Sequence, residues 1–339
     1  MASHAADYLN LPSEVCDISD IDLVSLSDQV LTHSGEITPN PSFIATWHLL
    51  KSVSPTKVVL SGDGPDELLF GYDTYDASYV AQRLGVLGGK KIWRHLEQVF
   101  SNIGGGFNRR SAFDSVARFL YGLGFDEHSR HGIWRYMMSA HDAKQLLVSP
   151  ELADQIANAK PAKDSYGQYL SSMDNDFNTI SDPLKKMSHA DLSIYLPSDG
   201  LVKMDRVGMA HGVEVRVPYL NKSFVEHCLS LPTNFSYQPL RKRKSPLKYY
   251  LQKHGHPDLL NVKKRGFNVP IGDWMLKGRM SEYCDHWLSS ETCKKFGLFQ
   301  EKNVRYLWQQ HRSLKQNHAN KLWPIIATHR FLDHYSVST

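Results

Sequence analysis

The sequence is poor in cysteine and has no long apolar run, and both shortages exclude whole classes of protein. Its four cysteines lie far apart and none forms a CxxC pair, so neither a disulfide framework nor a zinc knuckle is expected. No stretch approaches the ~18 apolar residues of a membrane span, and the first residues lack the basic and apolar segments of a leader peptide. We therefore expect a cytoplasmic protein without a membrane partner.

The sequence also lacks an excess of charge of one sign. It has 39 basic and 35 acidic residues, a formal net charge of +4, and this balance does not favour nucleic acid as a partner. The one dense basic run, RKRK at Arg241 to Lys244, is interpreted as a solvated loop or helix end.

Two short segments have strand patterns in a chain that is otherwise mostly helical. The continuous apolar run Val58 to Leu60 is typical of a strand buried in a parallel sheet, and VEVRVPYL, which begins at Val213, alternates until Pro218. Helical spacing places Phe43 and Trp47 on one face of a helix. The sequence predicts an α/β fold with a short parallel sheet heavily covered by helices.

The loop after the first strand, within VVLSGDGPDELLFGY, combines glycines with carboxylates. Gly62 and Gly64 allow a sharp turn, and Pro65 suits the first position of a helix. Open α/β sheets bind ligands at this end of a strand. The three carboxylates that follow the strand are those of Asp63, Asp66 and Glu67.

Two interpretations of these acids remain open. Acidic residues in a first helical turn stabilise the positive end of the helix dipole, and this can account for two of the three. Alternatively, Asp66 and Glu67 are ligands of Mg²⁺, which would bridge them to phosphate oxygens that they would otherwise repel.

Three segments resemble motifs of the asparagine synthetase family, and they occur in the family's order. LSGDGPDELLFGY resembles the SGxGxDExxxGY signature. LPSDGLVKMDRVGMAHGVEVRVPYLN resembles a helix-then-strand motif, and LLNVKKRGFNVPIGDW resembles a lysine-bearing loop. The resemblance extends over nearly the whole chain and is thin between about Ala77 and Lys186.

The resemblance implies a synthetase domain of the ATP-pyrophosphatase (adenine nucleotide α-hydrolase-like) type that uses ATP and Mg²⁺. Such a domain converts a carboxylate substrate, by default aspartate, into an acyl adenylate with release of pyrophosphate, and ammonia or an amine then displaces AMP. Adenylation is needed because a carboxylate is a poor electrophile. We expect a single domain over residues 1–339, with a partial nucleotide-binding sheet region at 1–80 and a mainly helical remainder at 81–339.

The matching positions imply roles for individual residues. Lys264 would stabilise phosphoryl oxygens as the bond to pyrophosphate breaks. Asp63 stands where many members have glutamate and would manage a proton or orient the nitrogen nucleophile. The implied nucleotide-binding residues are Ser61, Gly62, Gly64 and Asp205.

Asp205 is also predicted from the residues around it to be paired. A carboxylate at the partly buried edge of a helix is costly without a cation, so we expect a partner such as Arg206 or Arg216. A site role and a purely structural ion pair remain equally compatible with the sequence.

Two departures from the family pattern bear on activity. The sequence contains no SGGxDS, the family's phosphate loop, and its first strand is missing with it. Ala2 stands where glutamine-using members have the cysteine of their glutaminase domain, so no such domain is expected. We predict that the isolated chain is inactive and that the missing segment is either supplied by another chain, which would carry the phosphate loop or the glutaminase, or present in a longer native gene product. The alternatives are a non-catalytic relative that acts as a binding or partner subunit, and a ligase for a β-lactam, peptide or surface-sugar carboxylate.

Overall fold

A computed structural model describes residues 2–18, 21–84, 92–93, 95–96, 112–125, 127–135, 140–149, 151, 180–254, 267 and 269–336. Over these ranges the chain is an α/β protein, rich in helix, with a short parallel sheet of two strands. Each helix in them is too short or too polar to cross a bilayer.

The secondary-structure elements are numbered here in chain order. The strands are β1 (Val58–Leu60) and β2 (Glu214–Arg216). The α-helices are α1 (Ala2–Tyr8), α2 (Leu23–His33), α3 (Ser42–Ser52), α4 (Pro65–Leu68), α5 (Asp73–Leu84), α6 (Ala112–Leu123), α7 (Glu127–Ile133), α8 (Ala140–Leu146), α9 (Pro183–Ala190), α10 (Val202–Ala210), α11 (Lys222–Ser230), α12 (Thr233–Ser236), α13 (Ser245–Lys253), α14 (Ile271–Trp274), α15 (Gly278–Trp287), α16 (Ser290–Phe296), α17 (Glu301–Arg312) and α18 (Ala319–His334). A π-helix (Asp191–Leu201) runs into α10, and a 3₁₀ helix (Pro218–Leu220) follows β2.

The chain divides into two compact units. The sheet unit comprises Met1–Ser34, Asn40–Tyr72 and Asp191–Val269. The helical unit comprises Gly35–Pro39, Asp73–Ala190 and Pro270–Thr339.

The two strands of the sheet unit pair in parallel, as the sequence predicts. Val58 is opposite Glu214, and Leu60 is opposite Arg216. The N–H of Ser61 donates to the carbonyl of Arg216 at 2.8 Å, so the pairing continues into the loop after β1. The strand pair therefore fixes where this loop begins.

The predicted burial of β1 is wrong. Val58 is 38% exposed and Leu60 is 73% exposed. A strand becomes buried when neighbouring strands and covering helices enclose it, and the described sheet has two strands, so that each is an edge strand.

Helices α2, α3 and α10 pack together in the core of the sheet unit. Phe43 and Trp47 of α3 are buried, as their helical spacing predicts. Gly208 lets α10 close on the chain that enters β2, because a Cβ at Gly208 would lie 2.7 Å from the carbonyl oxygen of Val213. The N–H of Val213 donates to the carbonyl of Gly208 at 2.9 Å and holds the two segments together.

The helical unit has cores of its own. One of them joins helices α5, α6 and α7 through Ala81, Leu120 and Trp134. Another part of the unit contains His311, which is 0% exposed and accepts a hydrogen bond from the N–H of His318 on Nδ1. Its Nε2 lies 3.0 Å from the carbonyl of Gly272 and must donate there, so the buried ring is neutral.

Candidate functional site

The loop after β1 turns sharply because of one glycine. Gly64 has a φ of 105°, which a residue with a side chain rarely adopts, and a Cβ there would lie 2.5 Å from Leu220. Gly62, also predicted to provide backbone freedom, lacks a positive φ, and a Cβ added to it would meet no atom of the described residues within 4 Å. The turn therefore needs Gly64, whereas the space beside Gly62 is open to a ligand.

The short helix α4 is held in place by a hydrophobic cluster beneath it. Leu68 and Leu69 are 2% and 0% exposed and pack with the buried Cys228. The partly buried residues around these three are Leu192, Leu220, Phe224, Val225 and Leu247. Burial of each leucine side chain stabilises the fold by about 1.5–3 kcal/mol. These contacts therefore fix the position of α4, which carries the carboxylates.

Asp66 forms an ion pair with Lys244. Its Oδ1 lies 2.9 Å from the Lys244 Nζ, and the two side chains are 25% and 29% exposed. The N–H of Lys244 also donates to the carbonyl of Leu69 at 3.1 Å. The basic run does lie at a helix end, as predicted, but its last lysine is only partly exposed and belongs to the loop site through its pair with Asp66.

Gly71 makes room for this ion pair. A Cβ at Gly71 would overlap Asp66 Oδ1 and the Lys244 Cε. The N–H of Gly71 donates to the carbonyl of Asp66 at 2.8 Å, so the chain returns directly over the carboxylate. The glycine of the FGY segment is therefore explained by close packing.

Glu67 is buried beside other acidic groups. It is 2% exposed, and the hydroxyl of Tyr72 donates to its Oε1 at 2.5 Å. Burial raises the pKa of the Glu67 carboxyl; the Tyr72 hydrogen bond opposes this rise, whereas the charges of Asp191 and Asp66 add to it. The environment thus favours the neutral form of Glu67.

The raised pKa of Glu67 leads to a prediction about stability. A carboxyl whose folded-state pKa exceeds its unfolded-state pKa stabilises the protein at low pH, and that contribution is lost as pH rises through the folded-state value. Glu67→Gln keeps an oxygen acceptor for Tyr72 and has no charge to bury. We therefore expect the variant to exceed the wild type in free energy of unfolding at pH 8, with a smaller difference at pH 5, measured by urea denaturation.

The control for this prediction is Glu226→Gln, which alters an exposed glutamate of the same unit. It should leave the pH profile of stability unchanged. A Glu67→Gln variant that is less stable than the wild type at pH 8 would show that the ionised carboxylate is well accommodated.

The described residues fit Mg²⁺ only in part. They contain no group of three or more His, Cys, Asp or Glu side chains arranged to hold a metal. Asp66 retains partial exposure, and Asp63 is half-buried and accepts a hydrogen bond from the Ser61 hydroxyl. Mg²⁺ is commonly held by one or two carboxylates together with substrate phosphates and water, and this donor set suits such a shared site.

Asp205 differs from its prediction. It is exposed on α10, because that helix turns Lys203, Val207 and Gly208 inward. The predicted arginine partners are engaged elsewhere: Arg206 donates to the carbonyl of Ser34, and Arg216 pairs with Glu214 at 2.8 Å. Within the described ranges, Asp205 makes no hydrogen bond or ion pair with the loop after β1.

Two further contacts join the start of α3 to the π-helix and α10, and the sequence analysis missed both. Lys203 is 8% exposed, and its Nζ donates to the Ser42 hydroxyl at 3.2 Å. Asn40 donates to Asp199 at 2.7 Å and accepts from the N–H of Ser42. A lysine between apolar neighbours in LVKM is a weak sequence signal for the first contact.

Lys264, the lysine implied by the family resemblance, lies outside the described residues. Of the predicted site residues, Ser61, Asp63, Asp66 and Glu67 share one loop and helix start, and Lys244 joins them.

Comparison with known proteins agrees with the resemblance of the three motifs. The asparagine synthase family matches residues 1–333. "Asparagine synthetase [glutamine-hydrolyzing] 1" of Bacillus subtilis is 24% identical over 305 residues, which cover 88% of this chain and 44% of the relative. "Putative asparagine synthetase [glutamine-hydrolyzing]" of Mycobacterium bovis is 24% identical over 316 residues, which cover 91% of this chain and 44% of the relative.

The chain therefore spans less than half the length of these curated relatives. The family match nevertheless runs through both units, from the loop after β1 to the last helix. By sequence, this chain belongs to the asparagine synthase family.

Proposed function

We propose that the chain is an ATP-dependent carbon–nitrogen ligase that activates a carboxylate, by default aspartate, and forms an amide with ammonia. The observation that carries this proposal is the loop after β1: Asp63, Asp66 and Glu67 follow the carboxyl end of a parallel strand in sequence, and Lys244 pairs with Asp66 at 2.9 Å. Open α/β sheets bind their ligands at this position. The open space beside Gly62 suits the close approach of a nucleotide to the backbone.

The proposed reaction has two steps. A carboxylate oxygen of the substrate attacks the α-phosphorus of ATP, and the bond to the bridging oxygen breaks with release of pyrophosphate. The nitrogen of ammonia then attacks the acyl carbon, the bond from that carbon to the AMP oxygen breaks, and the nitrogen loses a proton. Asp63, held by the Ser61 hydroxyl, is the proposed acceptor of that proton.

Cationic groups are needed where the pyrophosphate leaves. Lys244 lies 2.9 Å from Asp66, and its ammonium can exchange this carboxylate for a phosphate oxygen as charge develops there. Lys264 is proposed as a second cation on the basis of its motif. Ser61, Gly62, Gly64 and Asp205 remain the proposed nucleotide contacts.

Asp66 and Glu67 are the proposed Mg²⁺ ligands. When bound, Mg²⁺ would neutralise charge on the leaving pyrophosphate. Because burial raises the pKa of the Glu67 carboxyl and a metal binds its ionised form, metal binding there should strengthen as pH rises.

A further part of the proposal concerns the phosphate loop. We propose an ATP-pyrophosphatase-type fold whose site is completed by a phosphate loop carrying SGGxDS, a motif that these 339 residues do not contain. The strand pairing supports this idea: in the described residues β1 pairs with β2 alone, which leaves an edge that a further strand could pair with.

Exchange of labelled pyrophosphate into ATP, dependent on aspartate, tests the proposal. We expect no exchange by the chain alone and clear exchange after addition of a protein that carries SGGxDS, such as the product of a neighbouring reading frame. Exchange that depends on another carboxylate would replace aspartate as the proposed substrate and would still support a ligase. Absence of both exchange and Mg·ATP binding by calorimetry in the mixture would favour a non-catalytic partner subunit.

A further inference from the structure

Helix α13 exposes most of its circumference to solvent. It has no buried residue, and Leu247 joins it to the hydrophobic cluster under α4. Tyr249 and Tyr250 are 64% and 59% exposed. The packing of the described residues of this unit does not account for two neighbouring exposed tyrosines.

Basic and aromatic side chains alternate around the exposed surface of α13. With 3.6 residues per turn, the order around the helix is Lys248, Tyr249, Lys253 and Tyr250. Both lysines are exposed. The ring of Tyr250 lies against that of His254, with centroids 4.2 Å apart. We call this set of side chains the α13 surface.

The chain that leads into α13 adds positive charge. A tight turn pairs Gln238 with Lys242 through backbone hydrogen bonds of 2.8 and 2.9 Å, and Arg241 and Lys242 are exposed on it. Between Gln238 and His254 the sequence has six lysines and arginines and no acidic residue. The charge balance of the whole chain conceals this local excess.

The structure assigns the α13 surface to the binding of a single-stranded nucleic acid. Exposed cations meet the phosphates of such a strand, while tyrosine rings offer planes on which bases stack, and the α13 surface presents both side by side. An acidic protein partner would explain the exposed lysines but would leave the exposed tyrosine rings unexplained. A membrane would need aliphatic side chains on the exposed face, whereas Leu247 and Leu251 are partly buried.

Fluorescence anisotropy with labelled dT20 and rU20, using the full chain, tests this assignment. Tyr249→Ala and Tyr250→Ala should each weaken binding by about tenfold, since stacking of one base is worth about 1–3 kcal/mol. Tyr249→Phe keeps the ring and should bind as the wild type does. Lys248→Gln with Lys253→Gln should reduce the slope of log affinity against log salt by about 1.4, or about 0.7 per phosphate contact.

Matched controls lie away from the α13 surface. Lys222→Gln and Tyr306→Ala alter an exposed lysine and an exposed tyrosine elsewhere, and they should leave binding unchanged. Thermal unfolding of each variant checks that it is folded. A preference between dT20 and rU20 identifies DNA or RNA as the ligand. Binding by the tyrosine variants equal to that of the wild type, stronger binding to duplex, or tighter binding to labelled polyglutamate or to phosphatidylserine vesicles than to either strand would overturn the assignment.

Discussion

Replacement of Lys244 by alanine is expected to reduce ATP–pyrophosphate exchange about 100-fold, the loss typical when one group that stabilises developing charge is removed. The reason is that the ammonium of Lys244 lies 2.9 Å from the carboxylate of Asp66 in the loop site. Exchange would be measured in the presence of the protein that supplies the phosphate loop. The binding of Mg·ATP, followed by calorimetry, gives a second readout that does not require turnover.

Gly71→Ala provides an independent way to separate the same pair. The added methyl group would overlap the ends of the Asp66 and Lys244 side chains, which are flexible and can move apart at little cost in stability. This variant should therefore remain folded yet lose exchange. Lys222→Ala, an exposed lysine of the same unit, serves as the control that keeps activity. Full exchange by Lys244→Ala would remove this residue from the mechanism.

Gly208→Ala is expected to lower the free energy of unfolding by about 2–3 kcal/mol, because overpacking of a tight contact commonly costs this much. Within most helices the same change stabilises by up to about 1 kcal/mol. Here, the new Cβ would lie 2.7 Å from the carbonyl oxygen of Val213, which is backbone and cannot rotate away. The effect should appear in urea denaturation.

Gly62→Ala is the matched control for this stability prediction. Among the described residues, no atom lies within 4 Å of its Cβ position, so its free energy of unfolding should stay within about 0.5 kcal/mol of the wild type. Unchanged stability in Gly208→Ala would mean that α10 and the start of β2 can move apart without lowering the free energy of unfolding.

Much of the sheet unit could be predicted from the sequence because its elements have strong local patterns. The apolar run of β1, the alternation around β2 and the buried face of α3 each depend on side chains within a few residues of one another. The exposure of Leu60 could not be predicted in this way. It depends on how many strands pair with β1 or lie next to it. The sequence of a strand does not indicate how many neighbours it has.

The site was predictable where its residues are neighbours in the chain. Asp63, Asp66 and Glu67 follow one strand, so their proximity needs no tertiary information. Lys244 is far from Asp66 in sequence and lies in a basic run that is typical of solvated surface, so nothing local indicated its ion pair. The predicted partial burial of Asp205 was wrong for the opposite reason: its local pattern suggested a partly buried edge, but contacts with α2 and α3 set the rotation of α10 and leave this residue exposed.

The open edge of β1 also bears on how the protein behaves in concentrated solution. Unpaired backbone groups next to an apolar side chain such as Leu60 are a template on which further copies can add, strand by strand. Lys57 stands exposed directly before the strand, and a charge at that place discourages copies from stacking. The charge of Lys57 therefore opposes aggregation at this edge.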